Sequence, residues 1–385
     1  MAWVAKINRE KGHAWRVGYR GPDRRQRHKT FTRKADAELF AATVETDQAR
    51  GDWTDPQLGK ITVADWALQV EASRLNRRRS TIARDDSYLR SFILPAFGDS
   101  RLADVAPIAI QQWVAELAAS GYAPATIRKA YEILGRIFTV AVESRLIPRS
   151  PCQGVKLPRI EQSEKRFLSP AEIQQLAEAI NPRFHALVLT AAYTGARFGE
   201  LAGLGRQHYE PLRRTIRIER NLSDVQGEIT FGQPKTKAAR RTISIPAWLV
   251  DVLAQHLTRH PGDDDLIFTA PAGGPLRRTS FRTRYWKPAV ESSVGAPCRF
   301  HDLRHTHVAL LIEQGAHPQV IASRLGHTSV RTVLDVYGHL FEGLDRDIAD
   351  ALDAPSDASR AYFLPTFEDD RVIDFPQHEP ETITT

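Results

Sequence analysis

Apolar positions change period several times along the chain, and each change marks a change of element. Residues 3–7 (WVAKI) and 14–19 (AWRVGY) alternate apolar and polar like short strands. KGH between them reads as a turn, and KTF at 29–31 supplies a third strand. From Arg33 to Gly51 the period lengthens to that of a helix. GDWTDPQLGK (51–60) loses periodicity and gathers turn residues, as a linker does. From Ile61 to about Val155, apolar residues recur three and four apart in TVADWALQVEASR, STIARDDSYLRSFILPAF, APIAIQQWVAELAASG and APATIRKAYEILGRIFTVAVESRLI. Each segment opens on a helix-start residue, which predicts a bundle of four or five helices.

A second linker, PRSPCQGVKLPRIEQSEKR, is rich in proline and charge. In SPAEIQQLAEAI, Ser169 can cap, Pro170 suits the first helical position and Glu172 stands at the capping-box position. After NPRFHALVLTAAYTGARFGELAGL, alternation returns in TIRIER, a turn in DVQGE, then ITFG and a hairpin-like PKTKAARRTISIP. Helical spacing then runs to Gly343. The expected fold class is multidomain: a small basic β-sheet domain of α+β type over 1–55, a helical domain over 61–155, and over 165–350 a mainly α domain with a small antiparallel sheet. An acidic flexible tail is expected over 354–385. The chain shows no internal repeat.

Charge sharpens this division. Residues 1–34 carry eleven Lys/Arg against Glu10 and Asp23, an excess of +9, whereas 345–385 carry eleven acids against Arg346, Arg360 and Arg371, a balance of −8. A basic amino end suits a polyanion such as nucleic acid. Arg16, Arg20, Arg24, Arg25, Arg27 and Lys29, beside Trp15, Tyr19 and Phe31, suit sugar-phosphate contacts and groove insertion. The helical segment has its own basic set, Arg74, Arg77, Arg78, Arg79, Arg84, Arg128, Lys129 and Arg136, which fits either a phosphate grip or an ordinary solvated face. Cys152 and Cys298, too few for a disulfide framework or a four-cysteine zinc site, fit a reducing cytosol. No apolar run reaches about 18 residues, and no signal-peptide stretch opens the chain. A soluble, unexported protein without a membrane partner is expected.

Candidate chemistry gathers in the third region. In TGARFGEL, Gly195 permits a tight helix entry, and Arg197 and Glu200 share a face. Arg197 is either a bidentate phosphate clamp or half of an ion pair. Lys235 and its neighbour Lys237 lie between two expected strands, where an ammonium can reach DNA or sit solvated at a hairpin tip. His301, Arg304 and His305 in HDLRH face one way from a helix. This resembles HExxH, but Arg304 would oppose a metal cation and no third ligand is evident beyond His307 or Cys298. In RLGHTSVRTVLDVYGH, Gly326 can end a helix and Thr328 or Ser329 can cap the next. Val330, Val333, Leu334 and Tyr337 then form one stripe. By that spacing Tyr337 is core; beside Arg197, Arg304, His301 and His327 its oxygen becomes a nucleophile.

Arg197 in TGxRxxE, Lys235 in KT, His301–x–x–Arg304–His305, His327 in LGH and Tyr337 in YGH together resemble the tyrosine recombinase family, specifically phage-type integrases. The catalytic likeness covers about 165–345. Residues 61–155 resemble the family's core-site binding domain and 1–55 its arm-site binding domain. The resemblance implies that Tyr337 attacks the scissile phosphate to give a 3′-phosphotyrosyl link and a free 5′-hydroxyl. Arg197 and Arg304 would hold the nonbridging oxygens, Lys235 would serve as general acid, His301 would assist proton transfer and His327 would hydrogen-bond the phosphate. It further implies double-stranded DNA attachment sites, a homotetramer, no ATP, metal or other cofactor, and action in the bacterial host cytoplasm. A DNA-bending host factor and an excisionase are accessory partners the resemblance allows. Three rivals remain at this point: a DNA-binding regulator without cleavage, a type IB topoisomerase, and a plain helical interaction protein.

Overall fold

The computed structural model describes residues 2–9, 12–21, 26–50, 58–160, 166–234, 236–261, 265–295 and 297–341. Contacts divide the chain into two compact units, 1–164 with 223–230, and 165–222 with 231–385. The expected acidic tail lies outside the described residues.

The first unit opens on a three-stranded antiparallel sheet, β1 (Trp3–Arg9), β2 (Gly12–Arg20) and β3 (Gln26–Phe31), in that order. Gly12 and His13, expected in a turn, instead belong to the β1–β2 ladder, opposite Arg9 and Asn8. Side chains alternate across a strand, so Val17 and Tyr19 are buried on one face with Trp15 beside them. There they meet Ala37, Phe40, Ala41 and Val44 of α1 (Lys34–Arg50). The aromatics expected to enter a groove therefore form a core. Lys29 joins them, its ammonium 4.5 Å from the Phe40 ring centroid. Arg16 and Arg20 are exposed, and Arg24 and Arg25 lie outside the described residues.

The helical part comprises α2 (Val63–Ser73), α3 (Arg79–Tyr88), α4 (Leu94–Phe97), α5 (Pro107–Ala119) and α6 (Pro124–Glu143). Helix α6 organises it. Ile127, Ala130, Ile133, Leu134, Ile137, Phe138 and Ala141 recur at helical spacing and are fully buried. Trp66 and Trp113 lock the bundle by donating their indole N–H to the Ile137 and Phe92 carbonyls. STIARDDSYLRSFILPAF is not one regular helix: between α3 and α4, Leu89–Ile93 forms a π turn in which the Leu94 N–H reaches the Leu89 carbonyl. Pro95 supplies the reason, because it has no N–H and its ring clashes with the carbonyl four residues back. The same device recurs in the second unit, where the π turn Arg282–Trp286 precedes Pro288.

The expected basic face of this bundle is mostly spoken for. Asp85 is fully buried and takes up Arg74, Arg77, Arg84 and Arg136, while Glu71 binds Arg74 and Arg77. Arg128 donates to the Pro158 carbonyl, Lys129 pairs with Glu132 and Arg79 with Glu228.

In the second unit, α7 (Pro170–Ala179) starts with the expected capping box between Ser169 and Glu172. Helix α8 (His185–Thr194) is apolar nearly all round and correspondingly buried, packed by α7, α10 (Ala247–Arg259) and α13 (Asp302–Glu313). Between α9 (Phe198–Ala202) and α10 run the short strands β4 (Tyr209–Glu210), β5 (Thr215–Ile218), β6 (Asn221–Val225), β7 (Glu228–Gly232) and β8 (Arg241–Ser244), of which residues 223–230 of β6 and β7 are counted with the first unit. Gln226 and Gly227 between β6 and β7 both have positive φ, the signature of a type I′ turn. β8 pairs with β5, whereas β7 pairs with β6. β7 and β8 therefore do not form the expected hairpin with each other: β8 is paired through Ile243 with Ile216 of β5, in the core. Helices α11 (Arg278–Phe281), α12 (Lys287–Ser293), α14 (Pro318–Leu325) and α15 (Arg331–Tyr337) complete the unit.

Among the described residues no helix is long and apolar enough to cross a membrane. Cys152 and Cys298 are both buried and free, their thiols pushed by burial up to about 11 and about 12.

Candidate active site

Two helix ends turned by glycine build the site. Helix α8 ends at Gly195, whose φ of +63° and whose contact with His307 and Leu325, where a Cβ would come within 2.7 Å of His307, admit only glycine. The turn exposes the Gly195 carbonyl and delivers Arg197 to the N-cap of α9. Helix α14 ends likewise at Gly326, with φ +68°, and brings His327 onto the same locus.

Arg304 joins these two turns. It is buried, and donates to the Gly195 carbonyl at 2.6 Å, to the Leu325 carbonyl at 2.7 Å and to Nε2 of His327 at 2.9 Å. A guanidinium has no acceptor, so Nε2 holds a lone pair and the His327 proton sits on Nδ1. That Nδ1 is buried and has no partner among the described residues, which leaves an N–H aimed and unused. Desolvation, then the charges of Arg304, Arg197 and Arg241, hold His327 down at about 4, so the ring is neutral. Burial, with the charge of Arg197 second, lowers Arg304 to about 9, still protonated at neutral pH. Beside His327 lies a cavity of about 360 Å³ whose polar lining includes Arg240, Arg241, Ser323, Thr328 and Ser329.

Arg197 does form the ion pair with Glu200, at 2.9 Å, yet its side chain stays 40% exposed. Glu200 is buried and is held from its other side by Arg241, at 2.9 and 3.2 Å. Burial pushes the Glu200 carboxyl up; hydrogen bonds and charge from Arg241, with Arg197 added, outweigh it and bring it below the ordinary carboxylate value. Arg241 also donates to the Arg324 carbonyl at 2.7 Å, and Arg324 donates to Nε2 of buried His307 at 3.0 Å. Arg197 is thus held through Glu200 and Arg241, and Arg304 through two backbone carbonyls and His327, before any substrate binds.

Tyr337 is the buried end of α15, in a cluster with Val308, Ile312, Ile321, Leu325 and Val333. Leu334, expected on the same stripe, is 48% exposed because α15 is only seven residues long and its apolar face is narrow. Val330, not Thr328 or Ser329, is the N-cap residue, although the Ser329 hydroxyl accepts from the Arg331 N–H. The Tyr337 hydroxyl lies 2.6 Å from Nδ1 of His305. Burial pushes that hydroxyl up to about 12, against the pull of the Arg304 charge. His301 stands at the N-cap of α13, exposed, its ring edge-to-face with His305 at 5.1 Å, and is held below its usual value by desolvation and then by His305, Arg304 and Arg197.

The structure thus brings Arg197, Arg304, His327, His301 and Tyr337 into one locus; Lys235 lies outside the described residues. One member escapes the sequence, Arg241; the spacing puts His305 on the face of His301 and Arg304 without giving it a role, and the Arg197–Glu200 ion pair is one of the two readings of Arg197. The signal for Arg241 is present, because it lies two residues from buried Ile243 on β8 and so on the same, inward face of the strand.

The phage integrase family model matches residues 166–343, and the N-terminal SAM-like domain of phage integrase matches 70–118. The ICEBs1 integrase of Bacillus subtilis strain 168 is 31% identical over 247 residues, 61% of this chain and 67% of that protein. Among solved structures, the Tn1549 transposon integrase in complex with transposon right end DNA shares the fold with a TM-score of 0.65 at 19% identity, over 77% of this chain and 100% of the other. A lambda integrase tetramer bound to a Holliday junction does so with a TM-score of 0.55 at 17% identity, over 84% and 95%.

Proposed function

The chain belongs to the phage integrase family, and from that premise we propose that it is a site-specific tyrosine recombinase that cuts and rejoins DNA strands through a 3′-phosphotyrosyl intermediate to integrate a mobile element. Tyr337 is the nucleophile. Arg197 and Arg304 hold the two nonbridging oxygens of the scissile phosphate, and the free Nδ1–H of His327 donates to the same group. Lys235 protonates the departing 5′ oxygen, with His301 assisting. Double-stranded attachment-site DNA is the substrate, bound by the 61–155 helices and by the basic sheet of 1–55, and four protomers act together. The tetramer is supported by the shared fold of the lambda integrase assembly on a Holliday junction.

One observation supports these roles above the others. Arg304 is bonded at once to the turn that carries Arg197 and to the imidazole of His327. Two guanidinium groups and an N–H donor fixed in a desolvated locus are what a phosphorane with two negative oxygens requires, because charge there is neutralised by dipoles already in place.

The test is strand exchange between two duplexes carrying the attachment sites of the element. Joined products that depend on both sites are expected. Relaxation of supercoiled DNA without those sites, in place of exchange, would instead indicate a topoisomerase, and binding without cleavage a regulator.

A further inference from the structure

Of the two arginines assigned to the scissile phosphate, Arg197 is much the more open, and what aims it lies outside its own turn. We propose that Arg241 is a positioning residue for strand cleavage, which acts through Glu200 to fix the guanidinium of Arg197 against one nonbridging oxygen. The inference rests on the phosphate role given to Arg197 above.

Arg241, the first residue of β8, is committed to protein partners. Its Nε donates to the Arg324 carbonyl at 2.7 Å, one Nη to the Ala239 carbonyl at 3.0 Å and to Oε1 of Glu200 at 3.2 Å, and the other Nη to Oε2 of Glu200 at 2.9 Å. Only 6% of its side chain is exposed. Its fork is already engaged, so its effect on the reaction passes through a neighbour. That neighbour is Glu200, whose Oε1 accepts from an Nη of Arg197 and whose Oε2 accepts from the Arg197 backbone N–H, both at 2.9 Å. A carboxylate gripped from behind by a bidentate fork is kept from swinging, so the sheet sets the place of Arg197 more than the short α9 that Arg197 caps.

β8 is itself fastened to the turn that carries His327. Arg324, whose carbonyl accepts from Arg241, returns the contact: one of its Nη atoms donates to the carbonyl of Ser244, at the other end of β8, at 2.9 Å, and to the Tyr193 carbonyl at 3.2 Å. Gly326 closes against the same segment, where a Cβ would lie 3.0 Å from the Ala238 carbonyl oxygen and 3.2 Å from Cδ of Arg241. Lysine at 241 would keep the charge, but a single ammonium cannot span both Glu200 oxygens and the Arg324 carbonyl as the planar fork does.

The test uses nicked duplexes carrying the attachment core, with the scissile phosphate either native or replaced by one of its two methylphosphonate isomers, each of which has a methyl in place of a different nonbridging oxygen. Removing the charge on one oxygen removes the need for the arginine that faces it. Arg197→Ala is expected to regain rate on one isomer, which identifies its oxygen. Arg241→Lys should slow adduct formation on the native phosphate about 100-fold, with duplex affinity in a gel shift unchanged. It should then match the parent on the isomer that relieves Arg197→Ala, and stay slow on the other. A merely structural role would slow all three substrates alike. Glu200→Asp shortens the bridge by one methylene and should give the same pattern, so it decides the matter if Arg241→Lys does not fold. The proposal is overturned if the folded variant cleaves native DNA at the parent's rate, or if its loss is equal on both isomers. If neither isomer relieves Arg197→Ala, the phosphate role of Arg197 falls, and the proposal with it; that result is read without any change at Arg241.

Discussion

Asp85 in the first unit and Glu200 in the second are both carboxylates withdrawn from solvent and met by guanidinium groups. Around Asp85 four arginines converge with Glu71 close by. Burial pushes Asp85 up, but hydrogen bonds from Arg84 and Arg74 prevail and hold it below its usual value. Around Glu200, among the described residues, Arg197 and Arg241 converge, and the network then continues by backbone and imidazole contacts into Arg324, His307, Arg304 and His327. The first arrangement closes on itself and ties α2, α3 and α6 together. The second runs on from the carboxylate to the His327 imidazole. A buried carboxylate therefore makes a scaffold when its arginines tie back into the helices around it, and a clamp when it orients an arginine at the start of a network that runs on into the site.

The largest effect that would sharpen this contrast is at Arg304. Arg304→Lys keeps the charge but loses the fork that spans two carbonyls and His327. Single-turnover cleavage is expected to fall about 1,000-fold while duplex binding in a gel shift is largely kept. A variant with unaltered cleavage would remove Arg304 from the clamp.

Glu200→Gln leaves buried Arg241 without its counter-charge and is expected to cost about 3 kcal/mol in urea unfolding. Because the folded carboxyl lies below its ordinary value, its contribution is present at neutral pH and is lost as pH falls through that lower value. The difference between the variant and the parent should therefore shrink in acid; a constant difference would contradict the pairing.

Asp85→Asn should cost less, about 2 kcal/mol, since several of its arginines can turn to water, and cleavage of bound DNA should change little. A large loss of cleavage with stability intact would break the comparison, by making the first cluster part of the chemistry.

The smallest effect is one of pH. Burial holds His307 at about 3 and His256 at about 4, both neutral in the folded second unit. The unfolded chain takes up those protons below about 6.5, so folded stability falls as pH drops from there toward the folded values. Each imidazole contributes about 1.4 kcal/mol between pH 7.5 and 5.5. Urea midpoints of His307→Gln should show a gap from the parent that narrows by that amount at pH 5.5. A gap that widens would contradict the assignment.

Elements set by local signals were legible from the residues alone. Ser169 and Glu172 announce the start of α7, Gly326 the end of α14, and the spacing of α6 its buried face. What escaped depended on contacts distant in sequence. Nothing local says that Arg74 and Arg136 will meet at Asp85, so a solvated face and a phosphate grip looked alike. β8 pairs with β5 across an intervening hairpin, which alternation along one strand cannot reveal. The two π turns arise from a proline one turn downstream, where the helical period of the apolar residues is hardly disturbed. At the site the residue types and spacings of Arg197, Arg304, His327 and Tyr337 were visible. The partner of the Tyr337 hydroxyl was not, because His305 and Tyr337 are 32 residues apart and meet only when α15 folds back onto α13.

The central claim is that the oxygen of Tyr337 becomes joined to DNA. A nicked duplex carrying the attachment core loses the short strand beyond the scissile phosphate and so traps the joined state, which can be digested and mapped by mass spectrometry. The phosphate is expected on Tyr337 through a 3′ link, with no adduct from Tyr337→Phe. An adduct that persists in Tyr337→Phe, or one that maps to another residue, would contradict it.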